Sequence, residues 1–296
     1  MSTLDTARLA PAPLPVDTKK RPRGALAGRW WLYVLLLLGL LAVVGPFLWM
    51  FLASIKSQEE LLRAPPTWVP ESPSLSNYDR LFDRLDFPRY FWNSTFIAGM
   101  ITLANLVFCS MVGYALAKLR FAGRDKIFLL VLGTLLVPGA VTLVPLFVLM
   151  SKLNLVDTPW AVILPVAAGP LGVFLMRQFM QEIPDDLLEA ARVDGAGEVR
   201  IFTRIVIPLS VPALAALGIV TFLPAWNALL WPLVVLTGEE NYTLPVALAI
   251  FARGQFQADY GLLMAGSVVL VVPVIIVFLL LQRRFTQSVA HTGLKG

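Results

Sequence analysis

Between Glu189 and Pro208 the chain reads Glu-Ala-Ala-Arg-Val-Asp-Gly-Ala-Gly-Glu-Val-Arg-Ile-Phe-Thr-Arg-Ile-Val-Ile-Pro. This stretch is too polar to cross a bilayer, yet it lies between two strongly hydrophobic segments. Such a loop has little reason to be ordered unless something docks on it, so its chemistry is recognition. Bond-breaking chemistry is hard to find elsewhere. No Gly-x-x-x-x-Gly-Lys-Ser/Thr loop is present to cradle a nucleotide's phosphates, so this chain alone is not expected to hydrolyse ATP. His291 is the only histidine and lies in the tail, which removes a metal cluster and a His-based triad. No catalytic residue, metal site or bound cofactor is expected, and nothing points to nucleic acid.

The residue types in this loop predict two short helices. Pro184 suits a first helical turn, where its missing N–H costs nothing. Asp185 and Asp186 then favour the positive end of the helix dipole. Leu187, Leu188, Ala191 and Val193 supply apolar surface, and Glu189 is spaced to pair with Arg192 at i,i+3. Asp194-Gly195 stops the helix, because Gly195 can take a positive φ. Ala196 follows, and a second helix begins near Gly197, carries Phe202 and Ile205, and runs to Pro208. The small pair Ala190-Ala191 lets another surface approach closely. A helix–turn–helix rigidly continuous with a membrane span can pass on force from a cytoplasmic partner.

The elements that must carry this loop are written in the composition. Of 296 residues, 57% are hydrophobic and 15% charged, with mean hydropathy +0.74; soluble domains carry about 25% charged residues. Charge-free runs cover 31–54, 91–117, 127–151, 158–176, 206–238 and 260–282. Each is near the ~20 residues that cross a hydrocarbon core as a helix, the form that satisfies its own backbone in lipid. The expectation is an all-α membrane protein with six transmembrane helices. The absence of Asp, Glu, Lys and Arg from these runs counts against a proton-driven carrier, while sodium coupling through carbonyls and hydroxyls stays open.

Lys and Arg set the orientation. Most of the 24 lie in the N-terminal tail, the Lys118–Lys126 loop, the loop from Arg177 to Arg204, and the C-terminus. By the positive-inside rule these are cytoplasmic, so both termini and the Glu189 loop face the cytoplasm of a multi-pass cell-membrane protein. Residues 1–29 read as a disordered tail and 30–296 as the membrane domain. On the outer side, 77–85 is spaced as a short amphipathic helix, and 243–251 is apolar but too short to span, a surface or re-entrant helix. Gly45-Pro46 is placed to kink the first span.

Glu189-Ala190-Ala191, then Gly195, Ile205 and Pro208 at their spacings, resemble the "EAA" loop of binding-protein-dependent ABC importer permeases. Ile207 is the one departure, standing where Leu is usual. Asn77-Tyr78, Phe91-Trp92-Asn93-Ser94, Gly113–Ala117, Trp226-Asn227, Thr243–Val246 and Gln282-Arg283 are similar to the maltose-type sugar permeases. Ala228 follows Trp226-Asn227 where Glu is frequent, and Ser288, His291 and Thr292 stand where small residues are common. The resemblance implies the type I ABC importer permease fold, with a core at about 90–282 and a coupling loop at 184–208. There Glu189, Ala190, Ala191, Asp194, Gly195, Ala196, Phe202, Ile205 and Pro208 would meet a separate ATP-binding subunit. It also implies two copies of that subunit, a second homologous permease, an extracytoplasmic solute-binding protein, and a sugar or polyol as cargo. Trp226 and Asn227 are the residues placed in its pathway, with hydrogen bonding between helices the competing use of Asn227. A glycerol phosphate diester importer and an ion-coupled secondary carrier are the alternatives.

Overall fold

The computed structural model describes residues 30–252 and 259–292. The expected disordered tail, residues 1–29, lies outside the described residues, as do 253–258 and the last four. Every element among the described residues is helical. In order they are α1 (Trp30–Ser54), α2 (Gln58–Leu61), α3 (Ser76–Arg84), α4 (Phe87–Lys118), α5 (Arg124–Gly133), α6 (Gly139–Lys152), α7 (Pro159–Ile163) and α8 (Pro170–Gln181). There follow α9 (Asp185–Val193), α10 (Glu198–Ile201), α11 (Ile207–Leu209), α12 (Val211–Trp226), α13 (Leu230–Val235), α14 (Leu244–Phe251) and α15 (Tyr260–Thr292). Contacts divide the chain into two units, 1–48 and 49–296. In the first, α1 carries Pro46 within its length and buries none of its apolar window.

Among the described residues the helices are consistent with membrane spans, several of them bent. Among the described residues, α1 and α4 are the helices both unbroken and apolar enough to cross a membrane by length and composition. Three bent pairs have the length and composition of a crossing if each is taken as one broken span: Arg124–Leu136 with Gly139–Lys152 at 101°, Pro159–Val166 with Pro170–Gln181 at 43°, and Glu198–Leu209 with Val211–Trp226 at 78°. The sixth expected span falls in α15, whose apolar described part is Tyr260–Ile276. The breaks sit where proline removes a backbone donor: Pro138 before α6, Pro170 at the start of α8, and Pro212 in the first turn of α12. Hydropathy alone averages over such breaks.

The second unit is built around α4, which packs along α8 and α12. At the close approach of α4 to α8, a Cβ on Gly113 would lie 2.7 Å from Met176 Cβ and 3.0 Å from the Arg177 backbone nitrogen. Only glycine fits there. Cys109, Tyr114, Met176, Met180, Leu188, Ile201, Val206 and Leu217 form one buried cluster that reaches from these helices into α9 and α10. The Glu189–Pro208 loop therefore shares its core with the membrane helices.

The outer segments are ordered by polar ties. As expected, 77–85 is a helix, α3, with Asn77 and Leu81 buried. Asn77 Nδ2 donates to the carbonyls of Ser54 and Lys56, at 2.8 and 2.7 Å, which caps the end of α1. The Asn93-Ser94 pair holds the last outer loop: Asn93 donates to the Glu240 and Tyr242 carbonyls, and Ser94 Oγ accepts from the Leu244 N–H. The surface alternative for 243–251 is not what forms: in helix α14, Leu244, Ala247 and Leu248 are buried against Leu81, Leu85, Leu262 and Ala265.

Candidate functional site

The loop folds as the residue types demand. Pro184 lies just before α9 rather than inside its first turn, and Asp185 and Asp186 open the helix. Leu188 is buried in the shared core and Ala191 packs against it, while Leu187, Glu189 and Ala190 stay exposed. At the far end Gly195 has φ 81°. Its N–H donates to the Arg192 carbonyl at 3.0 Å, and the Ala196 N–H donates to the Ala191 carbonyl at 2.9 Å. This pair of bonds is a Schellman stop, in which a left-handed residue lets the last carbonyls find donors. Ala191 and Ala196 supply its apolar contact, since both rest on the same core.

Gly197 caps α10, and Phe202–Val206 then continues as a wider π turn into α11. Pro208 lies just beyond that turn and has no N–H to give back to the helix, a cause of local widening. Phe202 and Ile205 are half-buried in the shared core, and Phe202 meets the Tyr114 ring at 5.3 Å. The second helix is not rigidly collinear with the span that follows. The chain turns by 78° into α12 around the buried Ser210.

Charges tie the two helices together. Arg192 does not pair with Glu189 as its spacing suggested. Its Nε instead donates to Glu198 Oε1 at 2.8 Å across the glycine turn. Tyr114 Oη, from α4, donates to the other oxygen, Glu198 Oε2, at 2.5 Å. Arg192 first, and Tyr114 with it, hold the Glu198 carboxyl below its ordinary pKa. One turn further along α4, Lys118 Nζ donates to the Ile183 carbonyl at 2.5 Å and to Asp185 Oδ1 at 2.7 Å. That bond and charge lower the Asp185 pKa. Glu189 makes no ion pair among the described residues, and Asp194 and Gly195 are exposed beside it. Val193 and Val199, 87% and 77% exposed, flank the turn with apolar surface that the chain itself does not cover. Glu189, Ala190, Val193 and Val199 thus form an exposed face on a loop whose backbone is ordered from beneath.

The second pair of candidate residues is arranged differently from expectation. Trp226 does not present a free ring face: it is 2% exposed, lies against Phe91 and Phe222, and donates from Nε1 to the Leu270 carbonyl at 3.1 Å. An indole that finds both apolar packing and an acceptor is held in place, here at the wall of a cavity it shares with Phe91 and Phe222. Asn227 is exposed, but its Nδ2 donates to the Leu223 carbonyl of its own helix at 2.8 Å. It caps α12 rather than bridging to a neighbour.

The family model described as "Binding-protein-dependent transport system inner membrane component" matches residues 109–291. The chain belongs to that family. Over 256 residues the permease is 42% identical to the arabinooligosaccharides transport system permease protein AraQ of Halalkalibacterium halodurans, covering 86% of this chain and 91% of AraQ. It is 33% identical over 271 residues to the trehalose/maltose transport system permease protein MalG of Thermococcus litoralis, covering 89% and 97%. Among solved structures, it superposes with TM-score 0.77 and 26% identity on a chain of a bacterial ABC transporter involved in the import of the acidic polysaccharide alginate, covering 89% and 98%. The fold is that of ABC importer permeases, and the chain is a multi-pass inner-membrane transport subunit.

One residue of the permease escaped sequence reasoning. Asn105 is 1% exposed in the middle of α4. Its Nδ2 donates to the Ile101 and Val166 carbonyls at 3.0 and 2.7 Å, and its Oδ1 accepts from the Gly169 N–H at 2.9 Å. Val166 and Gly169 flank the 43° break before Pro170. Asn105 thus satisfies backbone groups that the break frees, which lipid cannot do. It also borders an apolar cavity of about 320 Å³ lined by Leu217, Pro224 and Trp231. A lone Asn within an apolar run next in space to Gly-Pro was the available signal, but the pairing of the two helices was not legible.

Proposed function

We propose that this permease is one of the two membrane subunits of an ATP-driven importer that moves an oligosaccharide or related sugar. The observation that carries the reading is the glycine-closed pair of helices at 184–208. It is ordered by the membrane core yet leaves Glu189, Ala190 and Val193 uncovered. Two copies of a separate ATP-binding subunit supply hydrolysis, one seated against Glu189, Ala190, Ala191, Asp194, Gly195 and Ala196, with Phe202, Ile205 and Pro208 holding the seat in place. The chain itself binds no cofactor. A second, homologous permease completes the pathway, and an extracytoplasmic solute-binding protein delivers sugar to the segments 55–90, 152–157 and 239–259. Both termini and the loop face the cytoplasm, and the membrane domain occupies 30–296 with its core at about 90–282. Relatives named for arabinooligosaccharides and for trehalose/maltose, and a structural neighbour that imports alginate, support a sugar over a glycerol phosphate diester.

Closure of the ATPase subunits on ATP draws the two docked loops together, and the membrane helices open outward; hydrolysis resets them. Reconstitution tests the reading. Proteoliposomes holding both permeases and the ATPase should accumulate arabinooligosaccharide or maltose only when ATP and the binding protein are both present. Accumulation driven by a sodium gradient without the ATPase, or ATP hydrolysis with no sugar inside, would contradict it.

A further inference from the structure

We infer that Tyr114 and Lys118 form a two-point clamp that makes α4 move with the docking loop. The inference rests on the proposed docking role and adds a receiver for the motion. The two residues lie one turn apart, hence on the same face of α4. Tyr114 holds the start of the second loop helix through Glu198, and Lys118 holds the entry to the first through Ile183 and Asp185. Arg192 bonds to the same Glu198 carboxylate, so the clamp closes across the Gly195 turn. Tyr114 is 4% exposed and Lys118 is nearly buried, so both polar ends have traded water for the loop. Their acceptors, Glu198 and Asp185, lie at the surface, and charge-assisted bonds to a carboxylate are stronger than neutral ones.

The span that continues the loop cannot do this as directly. A 78° turn at Ser210 separates α11 from α12, and a bent joint takes up displacement. Helix α4 is unbroken over 32 residues and presses on α8 at Gly113, one residue before Tyr114. A pull on the loop is therefore delivered to α4 and, through the Gly113 crossing, to α8. Tyr114 and Lys118 are positioning residues: they touch neither sugar nor nucleotide.

The test uses the complete importer, both permeases with ATPase and binding protein, in liposomes. Tyr114→Phe keeps the ring on Phe202 and removes one hydroxyl, so the core survives. Sugar moved per ATP hydrolysed should fall about tenfold, in the usual range of a coupling energy. Glu198→Ala, a surface change, should lower the ratio at least as much, because it frees both Tyr114 and Arg192. The double variant should be no worse than Glu198→Ala, because both changes cut one connection. Spin labels at the exposed Val193 and at the exposed Leu103 of α4 report the motion directly. Their distance should stay constant through the ATP cycle in the wild type and become variable in Tyr114→Phe. A wild-type ratio and unchanged label distances in Tyr114→Phe, with the ATPase attached, overturn the clamp and leave the docking role standing. A wild-type importer that moves sugar without any attached ATPase overturns both.

Discussion

Replacing Gly195 separates the backbone requirement at the turn from every side-chain effect. The residue has φ 81°, and a Cβ built on it would meet nothing within 4 Å. Alanine there suffers no clash with the rest of the protein and bears only the cost of the left-handed backbone, roughly 1–2 kcal/mol for an L-residue. That penalty raises the population of the locally opened turn about tenfold, since about 1.4 kcal/mol is a factor of ten. Asparagine tolerates the region better and should cost less. Proline cannot reach a positive φ and also deletes the N–H that bonds to the Arg192 carbonyl, so it should abolish the turn. Amide hydrogen exchange of Ala196, whose N–H bonds to the Ala191 carbonyl, reads this opening. The expected order of exchange rates is wild type, then Asn, then Ala, then Pro. Only the Pro variant should insert normally yet lose coupled ATP hydrolysis altogether. Wild-type exchange in Gly195→Ala, or equal rates for Ala and Asn, would refute the claim that the left-handed backbone sets the turn.

Asn105→Leu should destabilise the membrane domain by roughly 2 kcal/mol, because it orphans the Val166 carbonyl and the Gly169 N–H at the break before Pro170; unfolding in a mixed-detergent titration measures this, and an unshifted midpoint would remove the role. Glu198 has a folded pKa below its ordinary value of 4.5, so its stabilisation is fully present above pH 4.5 and is lost as pH falls through the lower folded value. Protease sensitivity of the loop should thus be flat from about pH 5 to 8 and rise only in stronger acid; Glu198→Gln should shrink that rise, leaving the part due to Asp185, whose pKa Lys118 also lowers. Asn227→Leu deletes the bond to the Leu223 carbonyl and a polar group from an exposed position. It should change the apparent affinity for sugar while leaving ATPase attachment intact, and unchanged uptake across several sugars would reduce Asn227 to a helix cap.

The fold of the Glu189–Pro208 loop was legible because its signals are local. A proline, two acids in the first turn and Asp-Gly at the end specify helix and stop within a few residues, and the structure follows them to the sign of Gly195 φ. What failed depended on distant partners. The i,i+3 spacing of Glu189 and Arg192 was real, but Glu198 lies closer across the turn and also accepts from Tyr114, which no spacing rule reports. The membrane character of the chain was plain from charge-free runs, yet those runs hid three bends, because proline and glycine barely alter mean hydropathy. Helix α14 was read from its length alone, and its burial depends on α3 and α15 lying beside it. The packing of Trp226 against Phe91 and Phe222 and its bond to the Leu270 carbonyl were not legible, because most of those partners lie on other helices.

Position-specific photo-cross-linking from Val193 tests the central claim most directly. The side chain is 87% exposed beside the Gly195 turn, so a photoreactive residue there reports what covers the loop without disturbing the core. In the assembled importer the account predicts a covalent adduct with the ATP-binding subunit, lost in the Gly195→Pro variant. An importer that transports sugar at the normal rate but gives no ATPase adduct from Val193, or adducts only with the solute-binding protein, would contradict it.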